Sequence, residues 1–161
     1  LEPSEAALAA AARGLTVLRQ QLGEGELPRR YGAVSMLDVL EHLEDPLAGL
    51  RAAYQALEDG GCLLLSVPNI GHWRIVSDLL AGRFDYSPVG ILCITHLRFF
   101  TASSLRTLLD EAGFRVESWR NAGLPLQPAM RQVLSAARAA GLAVDEESLG
   151  AEVFHVLARR D

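Results

Sequence analysis

The segment Asp38-Val39-Leu40-Glu41-His42-Leu43-Glu44-Asp45-Pro46 holds the densest set of chemically capable groups in this chain. Asp38, Glu41 and His42 follow directly on the apolar run Ala33-Val34-Ser35-Met36-Leu37. Two carboxylates and an imidazole at a strand-to-helix turn can bind a divalent ion, hold substrate hydroxyls, or pair a base with its orienting group. The same side chains can also cap and brace the turn. His96, in the polar run Thr95-His96-Leu97-Arg98, can act as a base or brace a helix, since imidazole titrates near neutral pH without a large shift. Arg98 can anchor an anionic substrate or form a surface salt bridge. Trp73, Phe84 and Tyr86 can form an apolar lid or simply pack. His72 and His155 have no partner pattern and are expected to be structural. Cys62 and Cys93 lie in apolar runs without metal-ligand spacing, and are expected to be buried thiols in a reducing compartment.

The elements that must position these groups alternate between strand and helix patterns. Pro3 to Arg13 is Ala-rich, with Ser4 placed to cap it and Gly14 to stop it. Leu15 to Leu18 reads as a short strand, and Gly23 to Arg30 as a loop. Ala33 to Leu37 reads as a buried strand that breaks near Asp38. Pro46 to Leu57 has helical apolar spacing with proline in the first turn, and Asp59-Gly60-Gly61 ends it. Cys62 to Val67 is nearly all apolar, as for a strand covered on both faces. A helix around Trp73 to Leu80 precedes an irregular run through Ser87-Pro88. Thr101 or Ser103 caps a helix to Ala112, and Gly113 stops it. Phe114 to Trp119 alternates like a strand, Pro128 to Ala140 is an Ala-rich helix, and Glu152 to Ala158 is a last strand.

This alternation predicts an open α/β sheet in a single domain over residues 1–161. Ligands of such sheets bind at the carboxyl ends of the strands. The rule selects Glu2, the loop after Leu18, Asp38 to Asp45, and Pro68-Asn69. Glu2 is placed to accept hydrogen bonds from ribose hydroxyls, or is simply solvated.

Composition narrows the function classes. Half of the 161 residues are hydrophobic and 22% are charged, as in a globular protein rather than a disordered one. No apolar run reaches the roughly 18–20 residues of a membrane span, and no signal-peptide pattern is present. The net charge is −5, and the scattered arginines form no basic stripe of the kind nucleic acid needs. A soluble, cytoplasmic protein is expected. The chain opens on Leu1 and runs at once into Glu2-Pro3-Ser4, which looks cut from something longer.

Residues 38–46 resemble the "D-x-L-E-H-l-x-D-P" signature of class I S-adenosylmethionine-dependent methyltransferases. The branch is that of ubiquinone-biosynthesis O-methyltransferases and the methionine-biosynthesis protein W group. Glu2-Pro3-Ser4 resembles the end of that family's second strand. Asp59-Gly60-Gly61 with Val67-Pro68-Asn69 resembles its "pGG-x-l-l-l-s-v-P-N" segment. Gly90 to Thr101 resembles the "G-i-L-d-r-T-H-l-R-F-F-T" run of a bacterial subgroup associated with glycosyltransferases. Glu111-Ala112-Gly113-Phe114 resembles its "e-A-G-F". The matches run in order over about three-quarters of the chain, Glu2 to Trp119.

The resemblance implies a Rossmann-like sheet, mostly parallel, with an antiparallel final strand at one edge. Strand one and its glycine loop, which approaches the methyl donor closely, would precede Leu1. It implies S-adenosylmethionine as cofactor, with Glu2 on the ribose, Gln21 and Leu22 near the adenine, and Leu37 and Asp38 in the pocket floor. Gln20-Gln21 stands where the family often has Gly-Asp, and Cys93-Ile94 replaces the usual Asp-Arg of the lid. His96 and His42 become the candidate general bases, with Arg98, Trp73 and Asn69 toward substrate. Asp38, Glu41 and His42 resemble the "E-x-x-E-H" magnesium cluster of the ubiquinone-pathway enzymes, which offers Mg2+ as a second cofactor. The implied activity is O-methylation of a small hydroxylated molecule or glycan precursor, beside a fused or neighbouring glycosyltransferase. The alternatives are a non-catalytic scaffold module and an inactive fragment.

Overall fold

The structure is a computed structural model that describes residues 5–17, 27 and 29–161. Glu2, Ser4, Gln21 and Leu22, and with them the expected ribose and adenine contacts, lie outside the described residues. In chain order the elements are α1 (Glu5–Ala12), β1 (Tyr31–Leu37), a 3-10 turn (Leu40–His42), α2 (Pro46–Ala56) and β2 (Leu57–Pro68). There follow α3 (Trp73–Leu80), α4 (Ala102–Glu111), β3 (Phe114–Ala122), α5 (Pro128–Ala139), α6 (Glu146–Gly150) and β4 (Val153–Arg160).

The four strands form one sheet in the order β1-β2-β4-β3. β1 pairs parallel with β2, and β4 runs antiparallel to both β2 and β3, so three strands share one direction. This is the expected mostly parallel sheet with an antiparallel final strand. The expected position of that strand is corrected: β4 lies inside the sheet, and β3 takes the edge. The exchange places Val156 opposite Leu65 and Phe154 opposite Val67, where both β4 residues are buried. An inserted strand has its backbone groups paired on both sides, where an edge strand leaves one side unpaired.

Side chains alternate across the sheet, so its two faces differ. Val34, Met36, Leu63, Leu65, Val67, Phe154, Val156 and Ala158 join Leu50 and Ala53 of α2 and Leu105 and Leu109 of α4 in the main core. On the opposite face Leu37 is 59% and Leu64 is 45% exposed, and Ser35 and His155 are exposed beside them. The two buried strands expected from the runs 33–37 and 62–67 are thus each covered on one face. Within β1, Met36 alone is fully buried. Leu15–Val17 form no strand: Leu15 N–H donates to Ala10 O at 3.1 Å, which closes the end of α1 at Gly14 (φ +83).

Local chemistry explains the helices that frame the turn. Asp45 accepts from Ala48 N–H at 2.9 Å and Pro46 opens α2, so the last two residues of the 38–46 motif are a helix start. Thr101, rather than Ser103, caps α4 in a reciprocal box with Ser104. α2 ends at Ala56, before the expected Asp59-Gly60-Gly61. There Arg160 donates to the carbonyls of Tyr54 at 3.0 Å and Leu57 at 2.6 Å, satisfying the helix end from the last strand. α6 carries no periodic apolar signal and is found only in the structure.

The asymmetry of the two faces is measurable with neighbouring leucines. Leu63→Ala should cost roughly 2–5 kcal/mol of unfolding free energy by creating a cavity. Leu64→Ala should cost less than about 1 kcal/mol. Chemical denaturation of the two variants checks the assignment, and similar losses would overturn it.

Candidate active site

The carboxyl ends of β1 and β2 and the start of β4 meet at one end of the sheet, because β4 runs against the other two. A cavity of about 390 Å³ opens there. Asp38, Glu41 and His42 reach it from the turn after β1, Pro68 from the end of β2, and Glu152 and Val153 from the start of β4 and the residue before it. The segment after α3 closes it with Ile91, Cys93, Thr95 and His96. This is the location the strand-end rule selects.

The three titratable residues of one turn have three different environments. Asp38 has φ 53, in the left-handed region, which turns its side chain back toward β2. Its carboxylate accepts from Ser66 Oγ at 2.9 Å, and its N–H donates to the same hydroxyl at 3.0 Å. Glu41 is buried, and neither carboxylate oxygen has a hydrogen-bond partner among the described residues. Burial pushes its carboxyl above the ordinary glutamate value, with the neighbouring Asp38 charge adding to the rise. His42 is exposed to the cavity, and its Nδ1 donates to Thr95 O at 2.9 Å.

His96 faces the same turn from the lid segment. Its Nδ1 donates to Ile91 O at 2.9 Å, and its Nε2 stands 4.0 Å from Glu41 Oε1. The His42 and His96 rings meet edge to face with centroids 4.9 Å apart. Main-chain bonds tie the two segments together: Glu41 O accepts from Leu97 N at 2.8 Å and Arg98 N at 3.0 Å. The motifs 38–46 and 95–98, distant in sequence, are one structural unit.

The structure gives three expected substrate contacts other partners. Arg98 donates to Glu44 O at 2.6 Å and to Leu97 O at 2.9 Å, so its guanidinium caps the turn instead of lining the cavity. Asn69 is fully buried; its amide donates to Ser148 O and Ala151 O at 2.7 Å and accepts from Gly71 N at 2.9 Å. Trp73 is buried in a second core with Leu126, Met130 and Leu134 of the α5 region. Phe84 and Tyr86 do lie on the surface, in an edge-to-face cluster with Phe99. Both cysteines are half-buried rather than buried, and Cys93 lines the cavity. A hydrogen bond with the Thr95 hydroxyl at 3.2 Å holds its thiol below the ordinary cysteine value.

The resemblance-based magnesium set does not assemble. Glu41, His42 and His96 bring one ligand atom each within 4.8 Å of one another, and Asp38 is outside this group. One carboxylate and two imidazoles do not suit Mg2+, which takes oxygen ligands in a near-ideal octahedron. Leu37, 59% exposed, is an uncovered apolar side chain at the end of β1; Asp38 beside it lines the cavity, and Leu37 does not.

A family model described as "Methyltransferase domain" matches residues 2–118. The chain belongs to that family. An uncharacterised protein of Mycobacterium bovis is 35% identical over 119 residues, covering 72% of this chain and 40% of the relative. A ubiquinone biosynthesis O-methyltransferase of Xanthomonas campestris is 31% identical over 106 residues, 60% of this chain and 44% of that enzyme. The chain therefore spans less than half the length of these curated relatives. Among solved structures, a Thermotoga maritima protein described as a SAM-dependent methyltransferase, possible histamine N-methyltransferase, superposes with TM-score 0.63 at 21% identity. That match covers 99% of this chain and 71% of the other. Magnesium protoporphyrin IX methyltransferase from Synechocystis, solved with bound SAH, gives TM-score 0.53 at 17% identity over 88% of this chain and 49% of that one. The Rossmann-like methyltransferase fold is thereby established. No helix of the described residues is long and apolar enough to cross a membrane.

Sequence reasoning missed Glu152, Ser66, Ile91 and Thr95, and only Glu152 had a usable signal. It opens the final strand, and an antiparallel β4 must begin at the end where β1 and β2 finish. Ile91 and Thr95 act through main-chain carbonyls, which residue type does not announce.

His72, at the start of α3, is 2% exposed and its ring nitrogens have no partner among the described residues. Burial lowers its proton affinity below that of free histidine. The unfolded chain then binds a proton that the folded one resists, so stability should be complete above about pH 6.5 and fall as pH drops below it. Urea denaturation from pH 7.5 to 5 should show this slope in the wild type and a shallower one in His72→Phe. Equal slopes in the two proteins would refute the assignment.

Proposed function

We propose that the chain belongs to an S-adenosylmethionine-dependent O-methyltransferase acting on a small hydroxylated molecule or glycan precursor. The observation that carries the reading is an exposed imidazole at the strand-end cavity, His42, with Nδ1 bound to Thr95 O and no hydrogen bond on Nε2 among the described residues. With its proton on Nδ1, the ring presents the Nε2 lone pair as a base.

The donor supplies a methyl group on a sulfonium, and transfer is an in-line displacement governed by positioning. An acceptor hydroxyl in the cavity gives its proton to His42 Nε2 as its oxygen takes the methyl carbon. The carbon–sulfur bond breaks with its electron pair on sulfur, leaving S-adenosylhomocysteine. His96 remains the second candidate base, but Ile91 O and the Glu41 carboxyl face its two nitrogens. Leu37 and Asp38 belong to the donor floor in this reading, with Glu2 on the ribose and Gln21 and Leu22 near the adenine. The lid resemblance supports a glycosyltransferase as fused or neighbouring partner.

Methyl transfer from radiolabelled S-adenosylmethionine to a panel of hydroxylated sugars and phenols, assayed in the natural gene product, tests the reading. His42→Ala should lower turnover by about 10²–10⁴-fold while donor binding persists. Full turnover in both His42→Ala and His96→Ala would overturn the base assignments. Donor binding without transfer to any hydroxyl would favour the scaffold alternative.

A further inference from the structure

We propose that Glu41 is a positioning residue that acts through His96 to hold the Thr95 carbonyl where it fixes the ring of His42. The inference rests on the reading of His42 as the base and assigns the buried carboxyl beneath it a role.

Glu41 is placed where a carboxyl is expensive. Its side chain is 2% exposed, and neither oxygen has a hydrogen-bond partner among the described residues. An unpaired buried carboxyl costs several kcal/mol in general, so it holds its position only if it is neutral or shares a proton with a neighbour. The groups that face it are Asp38, His42 and His96. Asp38 is engaged with Ser66, and His42 has bonded Nδ1 to Thr95. His96 has Nδ1 on Ile91 O, which leaves Nε2, 4.0 Å from Glu41 Oε1, as the nitrogen able to share a proton with the carboxyl. Burial favours this sharing, since it raises the carboxyl's affinity for the proton.

The connection onward to His42 is short. Thr95 immediately precedes His96, and Glu41 O holds Leu97 and Arg98 on its other side. His96 is thus bonded at its ring to Ile91 O, faced across 4.0 Å by the Glu41 carboxyl, and followed by backbone that Glu41 O holds. The Thr95 carbonyl has little freedom left, and it is the group that accepts from His42 Nδ1. Through it, the Glu41 side chain sets which nitrogen of His42 carries the proton.

Long-range 1H–15N spectra of the histidine rings in 15N-labelled protein test this without donor or acceptor. The result is therefore separate from whether a hydroxyl is methylated. In the wild type, neutral His42 should show two well-separated ring nitrogens, with the proton on Nδ1. In Glu41→Leu, a substitution of similar volume, that separation should collapse toward a tautomer average. Glu41→Gln can still donate to His96 Nε2 and should keep most of it. Unchanged His42 signals in a folded Glu41→Leu protein, or equal loss in the Gln and Leu proteins, would overturn the proposal. Should Glu41→Leu fail to fold, His96→Phe gives the same reading: loss of the separation is expected, and its retention overturns the proposal.

Discussion

The parallel register that sets Met36 opposite Leu65 and Leu37 opposite Ser66 governs the rest of the molecule. It carries β1 and β2 to the same end of the sheet, so the chain leaves both strands beside one cavity. Parallel pairing also forces a crossover between the strands, supplied here by the turn and α2. The turn must leave β1 and reach the first residue of α2 within a few positions. Asp38 provides the sharp departure through its positive φ, Asp45 and Pro46 provide the arrival, and the groups between them are left at the strand mouth. The chemistry of residues 38–46 is thus a by-product of a tight connection. Its outer members make the turn, and its inner members are free to act.

The inner members differ because burial differs. Aspartate, glutamate and histidine within one turn have similar access in the sequence. In the structure Asp38 finds a hydroxyl on β2, Glu41 points into the protein, and His42 faces the cavity. A carboxylate with a hydroxyl donor is satisfied where it stands, whereas one buried without a donor changes its protonation instead. That division separates a wall carboxylate, a buried carboxyl and an exposed imidazole, and it disperses the oxygen-rich set a hard cation would need.

Much of the fold could be read from the sequence, for identifiable reasons. β2, α2, α4 and β3 are recognisable because their apolar periods and caps are local properties, and Gly113, with φ +91, stops α4 as its type suggests. β4 as a strand was equally readable, but its place was not. Its insertion between β2 and β3 depends on pairing partners separated by many residues. The open face of β1 and β2 was also hidden, since an apolar run such as Cys62–Val67 has the same composition whether one face or both are covered. At the site, His42 and His96 could be picked out by type. The difference in their ring environments turns on the carbonyls of Thr95 and Ile91, and a carbonyl belongs to every residue alike.

The lid shows how one departure in the sequence can shift the site's electrostatics. Where the resembled subgroup carries an acid–base pair, this chain has Cys93-Ile94, and the described cavity wall bears no arginine or lysine. Arg98, the nearest cation in the lid sequence, is bound to carbonyls of the turn. The carboxyls of Asp38, Glu41 and Glu152 therefore meet on the lid an imidazole, His96, rather than a permanent cation. The missing pair holds one acid and one base, so its loss removes a guanidinium and a carboxylate together and leaves the formal charge of the lid unchanged. What remains is a cavity wall whose permanent charges are carboxyls, and a negative wall adds to the cost of ionising a carboxyl buried behind it. The rise set at Glu41 by burial and by the Asp38 charge acts in the same direction.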